Sequence, residues 1–528
     1  EQVFNIIETR VVNEFGRFTH TRKVSPGQWY QYFKQKIKIP KVLEVNDPLP
    51  VVQKIPGWLS QLKVFIIRDV LAKIANTQYL IVNLSLAPVL AVFIAYFVKF
   101  YDAITTDTPQ YSFYHNSNIP VYFFMSVVVA LFVGLIVSAE EIFRDRKILK
   151  RERYLNLSSS SYLVSKVIIL FTLSAIQTIL FMALGNWILE IPLSELRYWL
   201  VLFSCSCFAN MLGLNISSAF DSAVTIYILI PVLIIPQLLL SGVVISFDKF
   251  NPKVGTPNGI PVLGELMASR WAFEALMVTQ FKDNPYEKQF YAYDQQAALA
   301  NFKRQYFIPT LESKLAIVKN NRTLWRDGSE RNPVKKALDL LHTEIGYELR
   351  KIGIEQFPEF ENLQVGKFNS DILEKTDTFL IKLKQYYGIK LKKANKRQDS
   401  IRSLLVSATG GELAYNAMRM KYTNEAVRDM VENNNEINRI LEWKGELVQK
   451  YFPIYFNDHR PVNQIDFTSN FYVPTKPFLG INFDTLYFNI IIIWVFTLLL
   501  YCTLYYRLLH KLISSLETYR KYRKRDRN

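Results

Sequence analysis

The sequence lacks the residues that bind and hydrolyse a nucleotide. Its Gly366-Lys367 pair is followed by Phe368 and has no earlier glycine at the spacing of a phosphate-binding loop. The segment 408–412 is superficially similar to an ATPase signature motif. Because the chain has no phosphate-binding loop, we attribute this similarity to chance. We therefore assign no catalytic residue to this sequence.

Cysteine and histidine are also scarce. The three cysteines all lie inside apolar runs, and the five histidines are scattered along the chain. Neither residue type occurs at a metal-ligand spacing, and no histidine forms a metal or nucleophile arrangement with its sequence neighbours. These absences argue against a structural or catalytic metal, and against a disulfide framework outside a membrane.

Long apolar runs are present, and six of them have the roughly 20 residues that a helix needs to cross a bilayer. They are residues 79–100, 120–139, 162–189, 198–220, 223–245 and 486–509. Asp and Glu are missing from the middle of these runs, which argues against a proton or sodium relay. The runs do contain Asn83, Asn186, Asn210 and Asn215. These side chains line a polar cavity or form hydrogen bonds between helices, and we favour the second interpretation.

Basic residues indicate the orientation. The net charge is +17, and Lys and Arg are dense in the loop 140–161 and in the tail 510–528, whereas the loop 101–119 has none. Because basic loops stay in the cytoplasm, both termini are predicted to be cytoplasmic and residues 246–484 external. The charge is then explained by orientation and anionic lipid, so no nucleic-acid partner is expected. We predict a multi-pass protein of the cytoplasmic (inner) membrane of a bacterium.

The fold class predicted from these patterns is an all-α membrane protein with six transmembrane helices. The predicted parts are a cytoplasmic linker over 1–55, an amphipathic connecting helix over 56–78, transmembrane helices 1–5 over 79–245, a re-entrant or interfacial segment over 246–281, a large external helical domain over 282–480, transmembrane helix 6 over 485–509 and a basic cytoplasmic tail over 510–528. Candidate helices of the external domain are 333–352, 370–396, 411–433 and 434–451. Asn369 is a plausible N-cap for the second of these helices.

Several segments resemble the G-subfamily (white or pigment-exporter type) of ABC transporters. Residues 141–153 with 161–166 are similar to that family's first intracellular loop and third-span entry. Residues 236–245 are similar to its fifth-span exit, and 268–275 to the segment that follows. The helix over 58–78 is similar to its connecting helix. The resemblance covers 56–281 and 485–509, but not the insert 282–480.

This resemblance implies a role for two groups of residues. The loop would be the coupling helix that receives motion from a nucleotide-binding domain, through Glu141, Arg144, Arg146, Lys147, Arg151, Glu152 and Arg153. Helices two and five would line a cavity at a dimer axis, with Phe124, Met125, Val128, Phe132, Ile230, Ile234, Gln237 and Leu238. For each cavity residue, plain helix packing is the alternative.

The resemblance also implies the partners. A second copy of the chain would complete a homodimer, and a nucleotide-binding domain, fused upstream through 1–55 or separate, would bind ATP and Mg. The chain begins with Glu1, which agrees with a piece of a longer protein. Membrane lipid is a further expected partner, and the external domain 282–480 could bind another protein. The chain would then be part of an ATP-hydrolysing translocase without itself carrying the ATPase motifs.

The function predicted from the sequence is ATP-driven export of a lipid-like or amphipathic substrate by alternating access. Three alternatives stay open. One is export of a lipid-linked glycan or a peptide by the same mechanics. Another is a mechanical or assembly unit that relays ATP-driven motion to the external domain and its partners without transport. The last is an ATP-independent receptor or scaffold.

Overall fold

The computed structural model describes residues 2–38, 56–101, 111–152, 157–192, 195–251, 253, 255, 259–457 and 469–525. The chain divides into two units, residues 1–55 and 56–528, and each is described by itself. The protein is mostly helical, with three two-stranded antiparallel hairpins among the described residues. A mostly helical fold is therefore confirmed, although it is not entirely α-helical.

The first unit is small and its side chains are largely exposed. Its elements are α1 (Gln2–Glu8), β1 (Arg10–Val12), β2 (Phe18–Arg22) and α2 (Pro26–Lys36). A capping box begins α2, because the Ser25 side chain accepts the backbone N–H of Gln28 while the Gln28 side chain accepts that of Ser25. The remainder of the predicted linker, residues 39–55, lies outside the described residues.

The second unit begins with seven helices, most of which are long and apolar. They are α3 (Trp58–Ala75), α4 (Thr77–Val98), α5 (Ile119–Ala139), α6 (Glu141–Glu152), α7 (Ser159–Leu189), α8 (Glu195–Ala219) and α9 (Ala223–Leu239). Among the described residues, five helices are long and apolar enough to cross a membrane: α4, α5 continuing into α6, α7, α8 and a last helix over Thr485–Tyr505. The helix α9 is apolar but has only 17 residues, including Pro231 and Pro236. The count of six spans therefore stays a prediction.

Small residues let α5 and α8 approach closely. A Cβ atom added to Gly134 of α5 would lie 2.7 Å from the backbone oxygen of Ser206, and one added to Gly213 of α8 would lie 2.9 Å from that of Leu135. Close backbone approach through small residues is a common way for helices to associate in membranes. Because α5 also packs against α4, α9 and α11 (Ala268–Lys282), it occupies the centre of the bundle.

Polar side chains also join the apolar helices. Asn210 donates to the Ser174 hydroxyl on α7 at 2.7 Å, and Asn215 donates to the Leu500 carbonyl at 2.9 Å. Asn186 accepts the Tyr122 hydroxyl of α5 at 3.4 Å. The interpretation of hydrogen bonds between helices is therefore confirmed for these three. Asn83 instead donates to the Tyr79 carbonyl of its own helix.

The segment after α9 forms α10 (Val262–Glu265) and then α11, whose residues 268–281 are all buried. Inside this packing, Glu274 accepts a hydrogen bond from Lys476 at 2.9 Å and another from Asn489 at 3.0 Å. A buried carboxylate needs such partners, because an unpaired charge inside a protein is costly. The re-entrant character predicted for 246–281 stays a prediction.

The insert between α11 and the last long helix is mainly helical. Its elements are α12 (Glu287–Phe302), a π-helical turn (Lys303–Phe307), α13 (Ile308–Asn320), α14 (Pro333–Ile352), α15 (Ser370–Thr409), α16 (Glu412–Tyr422), α17 (Glu425–Glu432), β3 (Ile440–Trp443), β4 (Glu446–Gln449), β5 (Thr475–Phe478) and β6 (Ile481–Asp484), before α18 (Thr485–Tyr505) and α19 (Leu508–Arg525). Short 3-10 turns lie at Phe247–Lys249, Arg322–Leu324, Ile354–Gln356, Pro358–Asn362 and Pro453–Tyr455. The apolar core of the insert is formed mainly by α13, α14 and α15, and it is separate from the core of the bundle. Asn369 caps α15 as predicted, since its side chain accepts the N–H of Ile372.

The helix predicted over 434–451 is wrong, because β3 and β4 form a hairpin there. Lys444 and Gly445 both have positive φ, at 51° and 81°, which is the backbone that a two-residue hairpin turn requires. Trp443 pairs directly with Glu446 across this turn. The Lys-Gly pair between apolar residues was a usable signal for a hairpin, and a helical interpretation overlooked it.

Candidate functional site

The basic loop contains α6, whose N-terminus is fixed to the end of α8. The Ser217 hydroxyl accepts the backbone N–H groups of Ile142 and Phe143, each at 3.0 Å. Arg146 donates to the carbonyls of Ser217 and Ser218 at 3.2 and 2.9 Å, and it also pairs with Asp221. These contacts satisfy free N–H groups at the start of α6 and free carbonyls at the end of α8. The two helix ends are thus attached to each other.

A cluster of buried charges lies beside this attachment. Lys166 of α7 contacts Glu141 of α6 at 3.0 Å, Asp145 of α6 at 2.9 Å and Asp69 of α3 at 2.9 Å. Lys73 of α3 also contacts Glu141, at 2.6 Å. We call these five residues the ionic joint. It connects α6 and α7 to α3, which lies far from both of them in the sequence.

The ionic joint is buried to a degree that makes its pairing essential. The side chain of Lys166 is 3% exposed and that of Glu141 is 7% exposed. Its three carboxylates face two ammonium groups, and the Tyr162 hydroxyl adds a hydrogen bond to Asp145 at 2.9 Å. A buried ion that loses its partner is strongly destabilising, so each charge here depends on the others. We therefore expect α3, α6 and the start of α7 to move together.

Further contacts along α3 extend this connection. Arg68, in the second half of α3, pairs with Glu152, the last residue of α6, at 2.6 Å. At the start of α3, the Trp58 indole donates to the Ser160 hydroxyl at 2.9 Å, and the Gln61 side chain accepts the N–H of Ser158 at 2.8 Å. The amphipathic helix is therefore attached along its length to the loop and to α7.

Another part of the α6 surface is exposed and basic. Arg144, Lys147, Ile148 and Arg151 are three or four residues apart, so they lie on one face of the helix, and all four are exposed. Ile148 is 44% exposed and supplies an apolar centre to this face. We call these four residues the α6 face. Such a surface suits a protein partner with acidic side chains around an apolar contact.

The residues predicted for the coupling loop differ in what they contact. Glu141 belongs to the ionic joint and Glu152 pairs with Arg68, while Arg146 is attached to α8. Arg144, Lys147 and Arg151 belong to the α6 face, and Arg144 also pairs with Glu140 at 2.7 Å. Arg153 lies outside the described residues. Their role in coupling stays a prediction.

Sequence reasoning missed the other members of the ionic joint, which are Asp69, Lys73, Asp145 and Lys166. A signal existed for Lys166, because an ionisable residue near the start of an apolar run usually has a partner. The partners could not be identified from the sequence, since Asp69 lies 97 residues before Lys166. Only the packing of α3 against α7 brings them together.

The residues predicted for the cavity are divided between the interior and the surface. Met125 and Phe132 are exposed on α5, and Val128, Ile234 and Leu238 are half-buried. Phe124 is buried against Phe273 of α11, with 5.8 Å between the ring centroids, and Ile230 is buried in the core. The Gln237 side chain accepts the N–H of Ser269 at 3.1 Å, which fixes the start of α11. A cavity lined by these residues stays a prediction.

Among the described residues, no group of three or more His, Cys, Asp or Glu side chains is arranged to hold a metal ion. The three cysteines are free thiols, and Cys205 and Cys207 are buried in α8.

Comparison with known protein families gives a match to the first half of the second unit. Residues 60–281, which extend from α3 to α11, match the family described as ABC-2 type transporter. No curated protein matches the chain. The match supports the membrane domain of a type-2 ABC exporter, and together with the five long apolar helices it indicates a multi-pass membrane permease. Membrane domains of this family generally work with nucleotide-binding domains. The ionic joint and the α6 face both lie inside the matched residues.

Proposed function

We propose that this chain is the membrane part of a homodimeric, G-subfamily-like ABC exporter of lipid-like or amphipathic substrates. A nucleotide-binding domain, fused or separate, would bind ATP and Mg and would contact the α6 face. Its closure would push α6, and the push would switch the membrane bundle between inward and outward access. No residue of this chain is assigned a catalytic role.

The ionic joint is the observation that carries this proposal. A force on the exposed side of α6 would be transmitted to α3 and α7 through ion pairs of 2.6 to 3.0 Å. These pairs are buried, so breaking them would cost about 3–5 kcal/mol of free energy. The same helix is attached at its start to the end of α8. The helix α6 also continues directly from α5. A displacement of α6 would therefore also displace parts of α3, α5, α7 and α8.

The exposed apolar side of α5 supports the choice of substrate. Val121, Met125 and Phe132 are 47%, 39% and 38% exposed on this helix. On the neighbouring α9, Ile228 and Ile235 are 63% and 51% exposed. If a second copy covered this surface, the space between the copies would have apolar walls, which favour a lipid-like molecule.

The test uses the chain together with its nucleotide-binding domain in liposomes. Lys147→Glu reverses a charge on the α6 face without touching the ionic joint, so the proposal expects normal folding with loss of ATP-dependent movement of a fluorescent lipid. Lys393→Glu, an exposed lysine of α15, is the matched control and should transport normally. Equal transport by the two variants would contradict the role given to the α6 face.

A second candidate function is a relay that moves the insert 282–480 without transport. It is favoured by the contacts at the other end of α5. Asn424, at the start of α17, donates to the carbonyls of Phe113 and Asn116 at 2.6 and 2.9 Å, just before α5 begins. The N–H of Glu425 donates to the Tyr114 carbonyl at 3.1 Å. The helix α5 is therefore in contact with the insert at one end and continuous with the basic loop at the other.

The two functions differ in one measurement. An exporter moves a fluorescent lipid or another substrate, such as a lipid-linked glycan or a peptide, at a rate that depends on ATP. A relay shows no such flux but changes the distance between spin labels on α15 and α4 when ATP is added. An ATP-independent receptor or scaffold would show neither response. The relay would also need an external protein partner bound to 282–480.

A further inference from the structure

The helix α19 begins directly after α18, the last of the long apolar helices. Tyr505 ends α18 and Leu508 begins α19, and Arg507 between them has a positive φ of 52°. Because a residue in this left-handed conformation ends a helix, α19 does not simply extend α18. Tyr505 and Tyr506 are 46% and 60% exposed at this turn, and tyrosine is enriched where a bilayer meets water. The chain therefore holds the start of α19 within about 10 Å of the bilayer surface.

The start of α19 lies at the same end of the bundle as the basic loop. Near the end of α18, the Leu500 carbonyl accepts a hydrogen bond from Asn215 of α8 at 2.9 Å, and the Thr503 hydroxyl donates to the same side chain at 2.9 Å. Two residues further along α8, the Ser217 hydroxyl accepts the N–H groups that begin α6. The helix α19 also packs against α8. The end of α18 from which α19 begins is therefore close to the start of α6.

One side of α19 is apolar and exposed. Leu508, Leu512, Leu516 and Tyr519 are three or four residues apart, so they lie on the same side of the helix. They are 48%, 59%, 60% and 68% exposed, and we call them the α19 stripe. The opposite side includes Ser514, whose hydroxyl donates to a carbonyl of its own helix at 2.9 Å. A helix with one apolar and one polar side is typical of a helix that lies in the surface of a membrane.

The charge of this segment complements an anionic surface. Between residues 507 and 525 the sequence has seven Lys and Arg residues and a single acidic residue, Glu517. Arg507 and Lys511 are exposed, and neither forms an ion pair among the described residues. Each basic residue close to an anionic membrane strengthens binding about fivefold. Apolar and electrostatic attraction to a bilayer would therefore act on the same short helix.

We propose that α19 lies in the bilayer surface and binds anionic phospholipids. The α19 stripe enters the boundary between the head groups and the acyl chains, and Arg507 and Lys511 contact the lipid phosphates. A lipid surface is favoured over a protein partner because the chain holds Leu508, the first residue of the stripe, next to the point where α18 leaves the membrane. The proposal requires that α18 crosses the membrane, and it is independent of transport and of the α6 face.

Spin labels on opposite sides of α19 test this placement. The native thiol is removed by Cys502→Ser, because Cys205 and Cys207 are buried and only Cys502 is exposed. A single label is then attached through Leu512→Cys or through Ser514→Cys. Both positions are exposed in the structure, so a difference between them reports what covers one side of the helix.

The labelled full chain, together with its nucleotide-binding domain, is placed in nanodiscs of phosphatidylcholine and phosphatidylglycerol. Collisions of the label with oxygen, which dissolves in lipid, are compared with collisions with a water-soluble nickel chelate. The label at position 512 should favour oxygen, because the α19 stripe enters the lipid. The label at position 514 should favour the nickel chelate, because it faces water.

The charge of the lipid gives a second comparison. In nanodiscs of phosphatidylcholine alone, the preference of the label at position 512 for oxygen should fall. Lys511→Gln should lower the ratio of membrane-bound to free helix about fivefold in the discs that contain phosphatidylglycerol, the effect of one basic residue. Lys392→Gln, at an exposed position of α15, is the matched control and should change nothing.

The apolar contribution is tested by Leu516→Ser with the label at position 512. This variant should move the label towards water, whereas Leu413→Ser, at an 88% exposed position of α16, should not. The proposal is overturned if the labels at 512 and 514 give the same preference, or if phosphatidylglycerol makes no difference at 512. It is equally overturned if the label at 512 is shielded from both reagents, because a protein partner or a second copy would then cover the stripe.

Discussion

Lys166 and Glu141 form a contact of 3.0 Å in which both side chains are almost fully buried. The lysine belongs to the first turns of a long apolar helix and the glutamate to the start of the basic loop helix. Two further carboxylates, Asp69 and Asp145, share the same ammonium group. This contact ties the basic loop helix to the interior of the bundle, and it gives the first prediction.

Lys166→Met should lower the free energy of unfolding by about 3–5 kcal/mol, because the carboxylates of the ionic joint lose a shared cation. The double variant Lys166→Met with Glu141→Gln restores the original balance of charge and should recover part of this loss. Thermal unfolding in one detergent measures both. Lys150→Met, an exposed lysine of α6, is the control, and a loss as large as that of Lys166→Met would contradict the argument.

The pair Arg68 and Glu152 should behave differently, because their side chains are 39% and 23% exposed. Arg68→Glu alone should change the free energy of unfolding by about 1 kcal/mol or less, as partly exposed pairs do. It should nevertheless reduce ATP-dependent activity, since α3 and α6 now repel each other. The exchange Arg68→Glu with Glu152→Arg restores the attraction and should restore activity.

This exchange is measured in liposomes with the nucleotide-binding domain present. Recovery in the double variant is the decisive result, because a residue that acted only through its own contacts with the partner would not be rescued. If the exchange remains as inactive as Arg68→Glu, the pair does not act as a connection between the helices.

Asn424→Leu should loosen the insert from α5. The variant loses two hydrogen bonds to the carbonyls of Phe113 and Asn116 and the cap that Asn424 provides for α17, so a cost of about 2–4 kcal/mol is expected. Hydrogen exchange should accelerate in α17 and near residue 116. Asn369→Leu removes only a helix cap at an exposed position and should cost about 1 kcal/mol. Unchanged exchange at both places in Asn424→Leu would rule out this attachment.

The stability of the insert is expected to depend on pH through the carboxyl group of Asp294. Burial is the main cause that raises the pKa of this carboxyl from 3.8 to about 7, and the nearby Glu287 adds to it, although Gln398 donates a hydrogen bond and Arg428 is close. The folded protein therefore keeps a proton that the unfolded chain releases between about pH 4 and pH 7. Since the folded state binds more protons there, stability falls as the pH rises through this range.

Asp294→Asn removes this titration. The melting temperatures of the variant and the unchanged protein should be similar near pH 4, and the variant should be the more stable of the two near pH 8. Asp399→Asn, at an exposed position of α15, should shift the curve little at any pH. A difference that does not grow between pH 4 and pH 8 would show that Asp294 ionises normally.

Local features of the sequence were enough to predict several parts of this protein. The length and apolarity of the runs predicted α4, α5, α7, α8 and α18, because a helix that crosses a bilayer needs about 20 apolar residues. The residues around 58–78 predicted the amphipathic helix α3, and the segment 333–352 predicted α14. Each of these signals lies within one continuous stretch of chain.

The tertiary structure alone decided which of these elements act together. The contacts of Lys166 with Asp69 and Asp145, and of Asn424 with Phe113, join residues that no local pattern connects. The same is true of Gln280, whose burial at the end of α11 leaves its amide without a hydrogen-bond partner among the described residues. The apolarity and charge of a continuous stretch are enough to predict whether it forms an apolar or an amphipathic helix. Pairing of buried charges depends on the packing of distant helices, so only the folded chain determines it.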